Sequence, residues 1–476
     1  MLMNTILLIL YSALVVSLVV VIISENRNPL KATSWLLLIT LLPVIGVLLY
    51  LLFGQDQRRR RVMSRRVYRR IMRRPQYLSM PEALLSSLQD EQLSPVMRLL
   101  VNNSDNPLLA AEHLDIYTEG GTKLEALYQD LETAHDHIHL QYYIIADDEY
   151  GIRLQQLLMR KAAEGVRVRV IYDHVGCWAT SSKYWKTLRE AGVEVYPFMR
   201  VAFPIFTGRV NYRNHRKIVV IDGTIGYVGG MNIAKRYVVG NELGMWRDTH
   251  IRMEGTAVAS LQSSFLIDWY VVSRKVISIE GCYHIPPAPN MLADGIRMQV
   301  VAGGPIGRWR TIEQAISYTI ARATKYVYIQ TPYFLPTDTL NNIVLMAALS
   351  GIEVRLMLPK RSDAVLAQYA TRSYLSQLMQ AGVRVFLYSK GFLHSKLLLV
   401  DGRVASVGSA NMDFRSLEHN FELNVMIYDE TTVERLRKTF EADMESCELL
   451  DRQQWAARGR FERFSESFVR LFSPLL

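Results

Sequence analysis

Two long apolar stretches near the start of the chain set its first fifty residues apart from the rest. Residues 6–23 and 35–53 contain no charged side chain, and each run is close to the minimum length of a helix that spans a bilayer. Only the short linker SENRNPLKAT separates them. Residues 1–54 are therefore predicted to form a hairpin of two transmembrane helices.

Other interpretations of these apolar runs have less support. A cleaved signal peptide would carry a basic segment before the first run and a small-residue cleavage site after it, and the sequence has neither. Pro43 and Gly46 would allow the second run to be a re-entrant or interfacial segment instead of a full span. That second alternative stays open.

Beyond about residue 106, amphipathic helical stretches alternate with short apolar runs, and the whole succession occurs twice. In the first half TKLEALYQDLETAHDHI leads to HLQYYII, and in the second RTIEQAISYTIARATKY leads to VYIQTPYFL. Matching glycines lie 186 residues apart (Gly165 and Gly351) and 190 residues apart (Gly192 and Gly382). Alternating helices and strands predict an α/β fold, and this spacing indicates a duplicated domain. We place the two copies at 106–290 and 291–476.

Positive charge is concentrated just after the second apolar run. The formal net charge is +10, and ten arginines with no acidic residue lie between Arg58 and Arg74. The positive-inside rule therefore places the linker 55–105 and everything after it in the cytoplasm. An amphipathic helix here would suit an anionic membrane surface, and a nucleic-acid-binding arm is the weaker alternative. Its apolar face would hold Met63, Val67, Tyr68, Ile71 and Met72. The arginines assigned to the membrane surface are Arg58, Arg59, Arg60, Arg61, Arg65, Arg66, Arg69 and Arg70.

One string of residues occurs once in each half. Residues 212–232 are YRNHRKIVVIDGTIGYVGGMN, and residues 392–411 are FLHSKLLLVDGRVASVGSAN. In each copy a lysine follows a histidine by two positions, which places both side chains on one face of a strand. A buried strand, an Asp-Gly turn, a second strand and small residues follow. The repeated polar residues are His215, Lys217, Asp222 and Asn232, and His394, Lys396, Asp401 and Asn411.

The repeated string could form a metal site, a structural contact of the histidine or a site that attacks a phosphodiester, and the last fits its residues best. A lysine ammonium repels a metal ion, so we expect no metal and no cofactor. A purely structural histidine does not explain two copies of the string. Lysine and asparagine neutralise phosphate oxygens, while one imidazole attacks phosphorus and another protonates the leaving oxygen. Two histidines on opposite sides of one phosphate require both copies, so the two strings are predicted to form a single site.

The pattern HxKxxxxD followed by GGxN or GSxN, present twice, resembles the signature of the phospholipase D superfamily. Within it the chain is similar to the bacterial cardiolipin synthases along nearly its whole length, with NPLK, QYYIIADDEYG, WRDTH, QTPYFLPTD and NFELN as supporting stretches. The resemblance implies two phospholipase D-like α-β-α sandwich domains related by a pseudo-twofold, after two transmembrane helices. It also implies a multi-pass protein of the bacterial inner membrane that acts on phosphatidylglycerol, with anionic phospholipids and not nucleic acid as partners. Whether the chain is a homo-oligomer stays open.

The same resemblance implies roles for individual residues. His215 is expected to form a phosphatidyl-histidine intermediate, with His394 as general acid and then base. Glu422 is expected to orient His215, and Asp248 to orient His394. The lysines and asparagines of the motif would hold the phosphate oxygens. Asp222 and Asp401 belong to the motif, but their odd spacing from the histidines favours a structural role at the turn.

Three features of the sequence leave their role undecided. Gly230 stands where the second copy has Ser409, so one half lacks a serine contact to the phosphate or to an acid. Tyr333 lines the pocket or packs in the core, and AFPIF at 202–206 is a lipid-facing mouth or a buried strand. A phospholipase D-type hydrolase or head-group exchanger is the main rival function. A nuclease is a weaker rival, because the catalytic part is neutral overall.

The C-terminal segment is predicted to be an amphipathic helix that packs on the protein body and not on the membrane. Its apolar residues recur at helical spacing with arginines between them. The three cysteines have no metal-ligand spacing and are expected to be free thiols. The residues of the helix pattern are Trp455, Phe461, Phe464, Phe468, Leu471 and Phe472, with Arg460, Arg463 and Arg470.

Overall fold

The computed structural model describes residues 2–24, 29–50, 63–71, 93–104, 107–200, 212–277, 295–305 and 308–473. The chain divides into two compact units, of which the first comprises residues 1–60 with 201–212. The second comprises residues 61–200 with 213–476 and holds both copies of the repeated string. The AFPIF stretch and Arg58 to Arg61 lie outside the described residues.

The described residues of the first unit form three helices, α1 (Leu2–Ser24), α2 (Pro29–Leu41) and α3 (Pro43–Leu49). Leu18 and Ile22 of α1 are buried together with Ile39 of α2. The break between α2 and α3 falls where proline removes a backbone donor. Counting only the described residues, no helix is both long enough and apolar enough to cross a membrane, so the two transmembrane helices stay a prediction.

The basic segment forms the short helix α4 (Arg65–Ile71) in the second unit. Ile71 is fully buried in the core, and Met63 and Val67 pack against the same cluster. The expectation that this apolar face lies on a membrane is therefore wrong for these three residues, because the protein itself covers them. Of the arginines with described side chains, Arg66, Arg69 and Arg70 are exposed.

Each half of the second unit is built on a mixed sheet with the same order of seven strands. In the first half the order is β2-β9-β7-β6-β3-β4-β5, with β3, β4 and β5 parallel to one another. The equivalent strands of the second half run β10-β19-β17-β16-β11-β13-β14. This identity of order is what a duplicated domain gives. The first-half strands are β2 (His113–Tyr117), β3 (His137–Tyr142), β4 (Arg167–Asp173), β5 (Glu194–Phe198), β6 (Ile218–Ile221), β7 (Ile225–Gly229), β8 (Met245–Arg247) and β9 (His250–Glu254).

The second-half sheet gains one further strand at each edge. β1 (Leu109–Ala111) pairs with β10, although it precedes the first half in sequence, and β20 (Cys447–Leu449) pairs with β14. Two short strand pairs, β8 with β15 and β12 with β18, lie outside the large sheets. The strands of this half are β10 (Ile296–Gly303), β11 (Tyr326–Gln330), β12 (Phe334–Leu335), β13 (Glu353–Pro359), β14 (Arg384–Tyr388), β15 (Gly391–Leu393), β16 (Leu397–Val400), β17 (Val404–Gly408), β18 (Met412–Asp413) and β19 (Glu422–Ile427).

Helices cover the sheets and complete three hydrophobic clusters. One cluster joins the facing sides of the two sheets with α10 (Val258–Ser273) and α14 (Glu430–Met444), and each outer sheet face has a cluster of its own. A core shared in this way holds the two halves together. The other helices are α5 (Ser94–Ser104), α6 (Gly120–Glu132), α7 (Glu149–Ala163), α8 (Ser182–Glu190), α9 (Arg236–Val239), α11 (Thr311–Ala321), α12 (Asp338–Leu349), α13 (Val365–Ala381), α15 (Arg452–Ala456) and α16 (Arg460–Arg470).

The C-terminal helix α16 does not pack as the sequence led us to expect. Trp455, on the preceding helix, is buried, but Phe461, Phe464 and Phe468 of α16 are all exposed. The prediction that this segment packs on the body is confirmed for the helix, which lies against α13, but it is wrong for the three phenylalanines, which do not make that contact. Cys177 and Cys447 are free thiols, and Cys282 lies outside the described residues.

Candidate active site

Each copy of the string is a β-hairpin whose Asp-Gly turn is held by the aspartate. Asp222 and Asp401 both have positive φ, at 51° and 56°, which aspartate tolerates better than most residues. Their carboxylates cap the start of a neighbouring strand by accepting backbone N–H groups at 2.7 to 2.9 Å. The donors are those of His135, Asp136 and His137 in the first half, and of Thr324, Lys325 and Tyr326 in the second. These contacts support the structural role for both aspartates.

Strand register brings the two histidines to carboxylates of the opposite half. Leu393 pairs with Arg247 in the parallel pair β15·β8, so the next residues, His394 and Asp248, lie side by side. On the other side Asn214 forms a parallel bridge with Phe421, which aligns His215 with Glu422 in the same way. The geometry is the crosswise arrangement that the resemblance implies. It requires both halves, and its reciprocity is what a twofold relation produces.

His215 is held through its Nδ1 atom. Nδ1 lies 3.0 Å from each carboxylate oxygen of Glu422 and 3.2 Å from the backbone oxygen of Ser409. The edge of its ring contacts Tyr143, with ring centroids 4.9 Å apart. Burial lowers the pKa of His215, and although the charge of Glu422 opposes this, the imidazole is neutral near pH 7. A neutral ring that donates Nδ1–H to Glu422 leaves the lone pair of Nε2 free to attack.

His394 lies in a more enclosed environment. Nδ1 is 2.6 Å from Oδ2 of Asp248 and 2.8 Å from Nζ of Lys396. The Asp248 carboxylate only accepts, so Nδ1 carries the proton and donates it to Asp248. The Lys396 ammonium only donates and cannot hydrogen-bond to that N–H, so its closeness acts as a positive charge against protonation of the ring. Trp246 and Tyr237 pack beside the ring at centroid distances of 5.1 and 5.9 Å. Burial and the nearby Lys396 charge lower the pKa of His394 to about 3.

Each motif lysine lies next to the histidine of its own motif. Each donates to the backbone oxygen of the histidine of its own motif, Lys217 at 2.6 Å. Burial lowers the pKa of Lys217 to about 7 and that of Lys396 to about 8. Lys217 also lowers the pKa of His394, and Lys396 that of His215, so the charges of both halves act on one site. Their side chains are 0% and 1–2% exposed, so a bound phosphate must displace their present contacts to reach them.

The motif asparagines are engaged with protein groups. The side-chain oxygen of Asn232 accepts from the backbone N–H of Ile144 at 3.1 Å, and its amide donates to the hydroxyl of Tyr237 at 2.7 Å. Asn411 donates to the Asp413 carboxylate at 3.0 Å, while its own side-chain oxygen is buried without a hydrogen-bond partner among the described residues. The expected phosphate contacts of both asparagines therefore stay a prediction.

The first motif has Gly230 where the second has Ser409, and this difference gives the two orienting carboxylates different surroundings. The hydroxyl of Ser409 donates to Oε2 of Glu422 at 2.5 Å, so serine supports the carboxylate that orients His215. At Gly230 a β-carbon would lie only 2.1 Å from Oδ1 of Asp248, which leaves no room for any side chain. Asp248 instead accepts the backbone N–H of Thr249 at 2.7 Å. Ser409 therefore donates a hydrogen bond to Glu422, whereas Asp248 occupies the space that a side chain at position 230 would need.

Several residues at the site were not identified from sequence. Asp363 accepts a hydrogen bond from the hydroxyl of Tyr333, and it is one of the negative charges that raise the pKa of Lys396. Tyr333 also packs against the second-half core, which supports its packing role, while its place in the pocket lining stays a prediction. The aromatic residues beside the histidines look like ordinary core residues in a sequence. Their place at the site is seen only in the folded structure, where each ring contacts one of the two histidines. These residues are Tyr143, Tyr237, Trp246 and Phe392.

The arrangement is suited to nucleophilic displacement at an anionic phosphorus centre. Burial alone would raise the pKa of both orienting carboxylates, yet the lysines and histidines around them hold these pKa values below the ordinary range. Each carboxylate is therefore ionised and fixes the tautomer of its histidine. The described part of the chain contains no cluster of histidine, cysteine and acidic residues that would hold a metal ion. One imidazole can attack while the other transfers a proton.

Comparison with known proteins agrees with this geometry. The family described as "Cardiolipin synthase, PLD-like domain" matches residues 127–269 and 316–444, and "Phospholipase_D-nuclease N-terminal" matches residues 13–55. The cardiolipin synthase of Geobacillus kaustophilus is 40% identical, covering 98% of this chain and 93% of that protein. The cardiolipin synthase of Oceanobacillus iheyensis is 39% identical, covering 96% of each chain.

A solved structure shows the fold independently. The phosphatidylserine synthase of Haemophilus influenzae superposes with a TM-score of 0.61 at 15% identity, covering 80% of this chain and 98% of that one. At such low identity the likeness concerns the fold and not the reaction.

Proposed function

This chain belongs to the cardiolipin synthase family of phospholipase D-like proteins, and on that premise we propose that its two motifs form one phosphatidyltransferase site. The reaction joins two molecules of phosphatidylglycerol into cardiolipin and releases glycerol. The observation that carries the proposal is the crosswise pairing of His215 with Glu422 and of His394 with Asp248. Two imidazoles held in this way match the two proton-coupled displacements that the reaction needs.

In the first displacement Nε2 of His215 attacks the phosphorus of phosphatidylglycerol. A P–N bond forms as the P–O bond to the head-group glycerol breaks, and His394 delivers the proton of its Nε2 to the departing oxygen. Glu422 stabilises the positive charge that develops on the substituted imidazole. The product of this step is a phosphatidyl-histidine at residue 215 together with free glycerol.

His394 must take up its proton when the substrate binds. In the empty site the pKa of His394 is lowered to about 3, so its ring is neutral at pH 7. A phosphodiester anion opposes the lysine charges and raises the pKa of the imidazole. Binding of substrate is therefore expected to take up one proton, which His394 then transfers. Lys217 and Lys396 neutralise the phosphate oxygens once they have moved from their present partners.

In the second displacement the primary hydroxyl of another phosphatidylglycerol attacks the same phosphorus. His394 takes the hydroxyl proton on Nε2, a P–O bond forms, and the P–N bond to His215 breaks. Cardiolipin leaves, His394 releases to solvent the proton that was taken up on substrate binding, and both histidines are neutral again. The aromatic side chains of Trp246, Tyr237 and Phe392 around His394 favour this outcome, because they limit water beside the base.

Product analysis tests the proposal. The purified full chain, supplied with phosphatidylglycerol, should release glycerol and cardiolipin in equal amounts, and His215→Ala should abolish both. Formation of phosphatidic acid without cardiolipin would instead identify a hydrolase. A product in which an added alcohol replaces glycerol, with no cardiolipin in its absence, would identify a head-group exchanger.

We also propose that residues 1–54 are a two-span membrane hairpin with the catalytic part in the cytoplasm of a bacterium. The support is the uncharged length of both runs and the arginines that follow them. In intact cells a membrane-impermeant maleimide should label Asn28→Cys in the linker and should label Ser467→Cys only after lysis. Labelling of both positions, or of neither, in intact cells would refute this topology.

A further inference from the structure

The C-terminal helix α16 (Arg460–Arg470) and the two residues after it carry one continuous apolar stripe. Phe461, Phe464, Phe468, Leu471 and Phe472 recur at spacings of three and four, so they lie along one side of the helix. Phe461 is 83% exposed and Phe464 66%, and the other three are between 44% and 73% exposed. A soluble helix of this kind normally buries such a stripe against its own core.

The opposite side of α16 is the one that faces the protein. Glu466 is only 2% exposed and accepts hydrogen bonds from Arg458 at 2.6 Å and from Arg372 of α13 at 2.8 Å. Arg372 also pairs with Glu462. These contacts bind the charged side of the helix to the body, and so the phenylalanines are held outwards. Burying paired glutamates in place of available phenylalanines is unfavourable in water unless another apolar medium covers the stripe.

A second group of exposed apolar residues lies on the helix that α16 packs against, at the end nearer the catalytic site. Helix α16 lies against α13, and Val365, Leu366 and Tyr369 in the first turns of α13 are also exposed. Immediately before them, Asp363 accepts the hydroxyl of Tyr333, and its charge acts on Lys396 of the second motif. Exposed apolar residues therefore lie both on the C-terminal helix and on the end of α13 that leads to the border of the site.

The charges on this surface indicate which apolar medium covers it. Arg460, Arg463 and Arg470 of α16 are exposed, whereas both glutamates of the helix are paired with arginines of the body. Exposed arginines that flank phenylalanines are typical of a helix that lies in the interface of an anionic bilayer. A second copy of this chain would bring the same arginines together and would leave them without acidic partners.

We propose that α16 is an interfacial membrane helix, which inserts its phenylalanine stripe into an anionic bilayer and so holds the border of the catalytic site against the lipid surface. The stripe occupies the acyl boundary, and the arginines contact phosphate groups. This deepens the proposed function, because it names the surface from which the same site takes its lipids, and it rests on that function for the choice of lipid.

Spin labels on the full chain test the orientation without any need for activity. In a background with the three cysteines replaced by serine, one label is placed at Phe464→Cys and a matched label at Arg463→Cys, an exposed position outside the stripe. The protein is reconstituted in discs that contain phosphatidylglycerol. We expect the label at 464 to collide more often with oxygen than with a water-soluble nickel chelate, and the label at 463 to show the reverse. Equal access of the nickel chelate to both labels would overturn the proposal, as would protection of residue 464 from both reagents, which indicates a protein contact.

A kinetic comparison then tests the consequence for lipid delivery. A variant with Phe461, Phe464 and Phe468 changed to serine should lose about tenfold in the rate of cardiolipin formation on phosphatidylglycerol vesicles, relative to its rate on a water-dispersed short-chain phosphatidylglycerol. The matched control changes to serine Met346 and Leu349 of α12, which are 56% and 71% exposed, and should keep the wild-type ratio. An unchanged ratio in the phenylalanine variant would contradict the proposal. Failure of the proposed function is seen separately, as absence of cardiolipin from the wild-type chain on both substrates.

Discussion

His215 and His394 occupy equivalent positions in the two halves, yet they have different neighbours. His215 faces both oxygens of Glu422 at 3.0 Å, and Ser409 supports that carboxylate with a hydrogen bond. His394 makes one shorter contact, 2.6 Å to Asp248, and the Lys396 ammonium lies 2.8 Å from the same nitrogen. Aromatic rings surround His394 on several sides, whereas His215 contacts one tyrosine.

These differences match a division of labour. Glu422 and its serine support are suited to stabilising a lasting positive charge, as on a phosphorylated imidazole. The enclosed, lysine-flanked His394 is strongly disfavoured as a cation in the empty site, and so it readily gives up the proton that it takes up when substrate binds. A duplicated domain has thus supplied two similar histidines whose surroundings assign one to attack and the other to proton transfer.

Removing each histidine should have the largest effect and should separate the two roles. Both His215→Ala and His394→Ala are expected to lower turnover of phosphatidylglycerol by about 10⁴-fold or more. With a phosphatidyl ester of nitrophenol, which needs no proton to leave, His394→Ala should still release one equivalent of nitrophenol rapidly. His215→Ala should release none. A burst in His215→Ala and not in His394→Ala would reverse the assignment.

Neutralising the orienting carboxylates should have the next largest effect. Glu422→Gln and Asp248→Asn keep the size of each side chain but no longer fix the Nδ1–H tautomer, so kcat is expected to fall by about 10²- to 10⁴-fold. Glu422→Gln should slow formation of the covalent intermediate, and Asp248→Asn should slow proton transfer. Rapid-quench kinetics with the nitrophenyl ester distinguishes them, because only Glu422→Gln should lose the burst. Equal bursts in both variants would contradict the division of labour.

Exchanging the small residues tests whether the asymmetry is built in. Ser409→Gly removes one hydrogen bond to a charged group, so we expect a loss of about ten- to a hundredfold in kcat. Gly230→Ser should lose more, because its β-carbon would displace Asp248 from His394. Circular dichroism and melting temperature control for folding. If Gly230→Ser retained full activity, Asp248 would not need its present position.

The pH dependence of kcat/KM should show the smallest effect, and its direction follows from the lysines. Burial lowers the pKa of Lys217 to about 7 and of Lys396 to about 8, so each ammonium is lost as the pH rises through these values. Because substrate binding takes up a proton on His394, kcat/KM should already decline as the pH rises, and loss of the ammonium groups should steepen that decline above about pH 7 to 8. Lys396→Arg should remove the part of the steepening that comes from Lys396. On the acid side, His215 stays neutral below its ordinary pKa of 6.5, so the acid limb should lie lower. An acid limb well above pH 6.5 would contradict the account.

Some of this site could be predicted from the sequence because the chemistry is local. The His-x-Lys spacing places two groups on one strand face, and an Asp-Gly pair marks the turn, so single-strand geometry is enough. Which acid lies beside which histidine depends on the register of β8 against β15 and of residue 214 against 421. That register joins residues about 150 to 200 apart, and in the sequence only the family resemblance indicated it.

The orientation of the amphipathic helices could not be predicted from the sequence for a different reason. An apolar stripe shows that one face avoids water, but not whether protein or lipid covers that face. For α4 the core accepts Ile71, while for α16 the pairing of Glu466 with Arg372 and Arg458 turns the stripe outwards. Both outcomes depend on residues of other elements. The aromatic neighbours of His394 were missed likewise, since in a sequence they resemble core positions.

The covalent intermediate tests the central claim most directly. The His394→Ala variant, which lacks the proton donor and base of the second displacement, is mixed with the nitrophenyl ester, denatured at alkaline pH to preserve the P–N bond, and digested for mass spectrometry. The account predicts that one phosphatidyl group is attached to the peptide that contains His215. Attachment to any other residue, or a released equivalent of nitrophenol with no protein adduct, would contradict it.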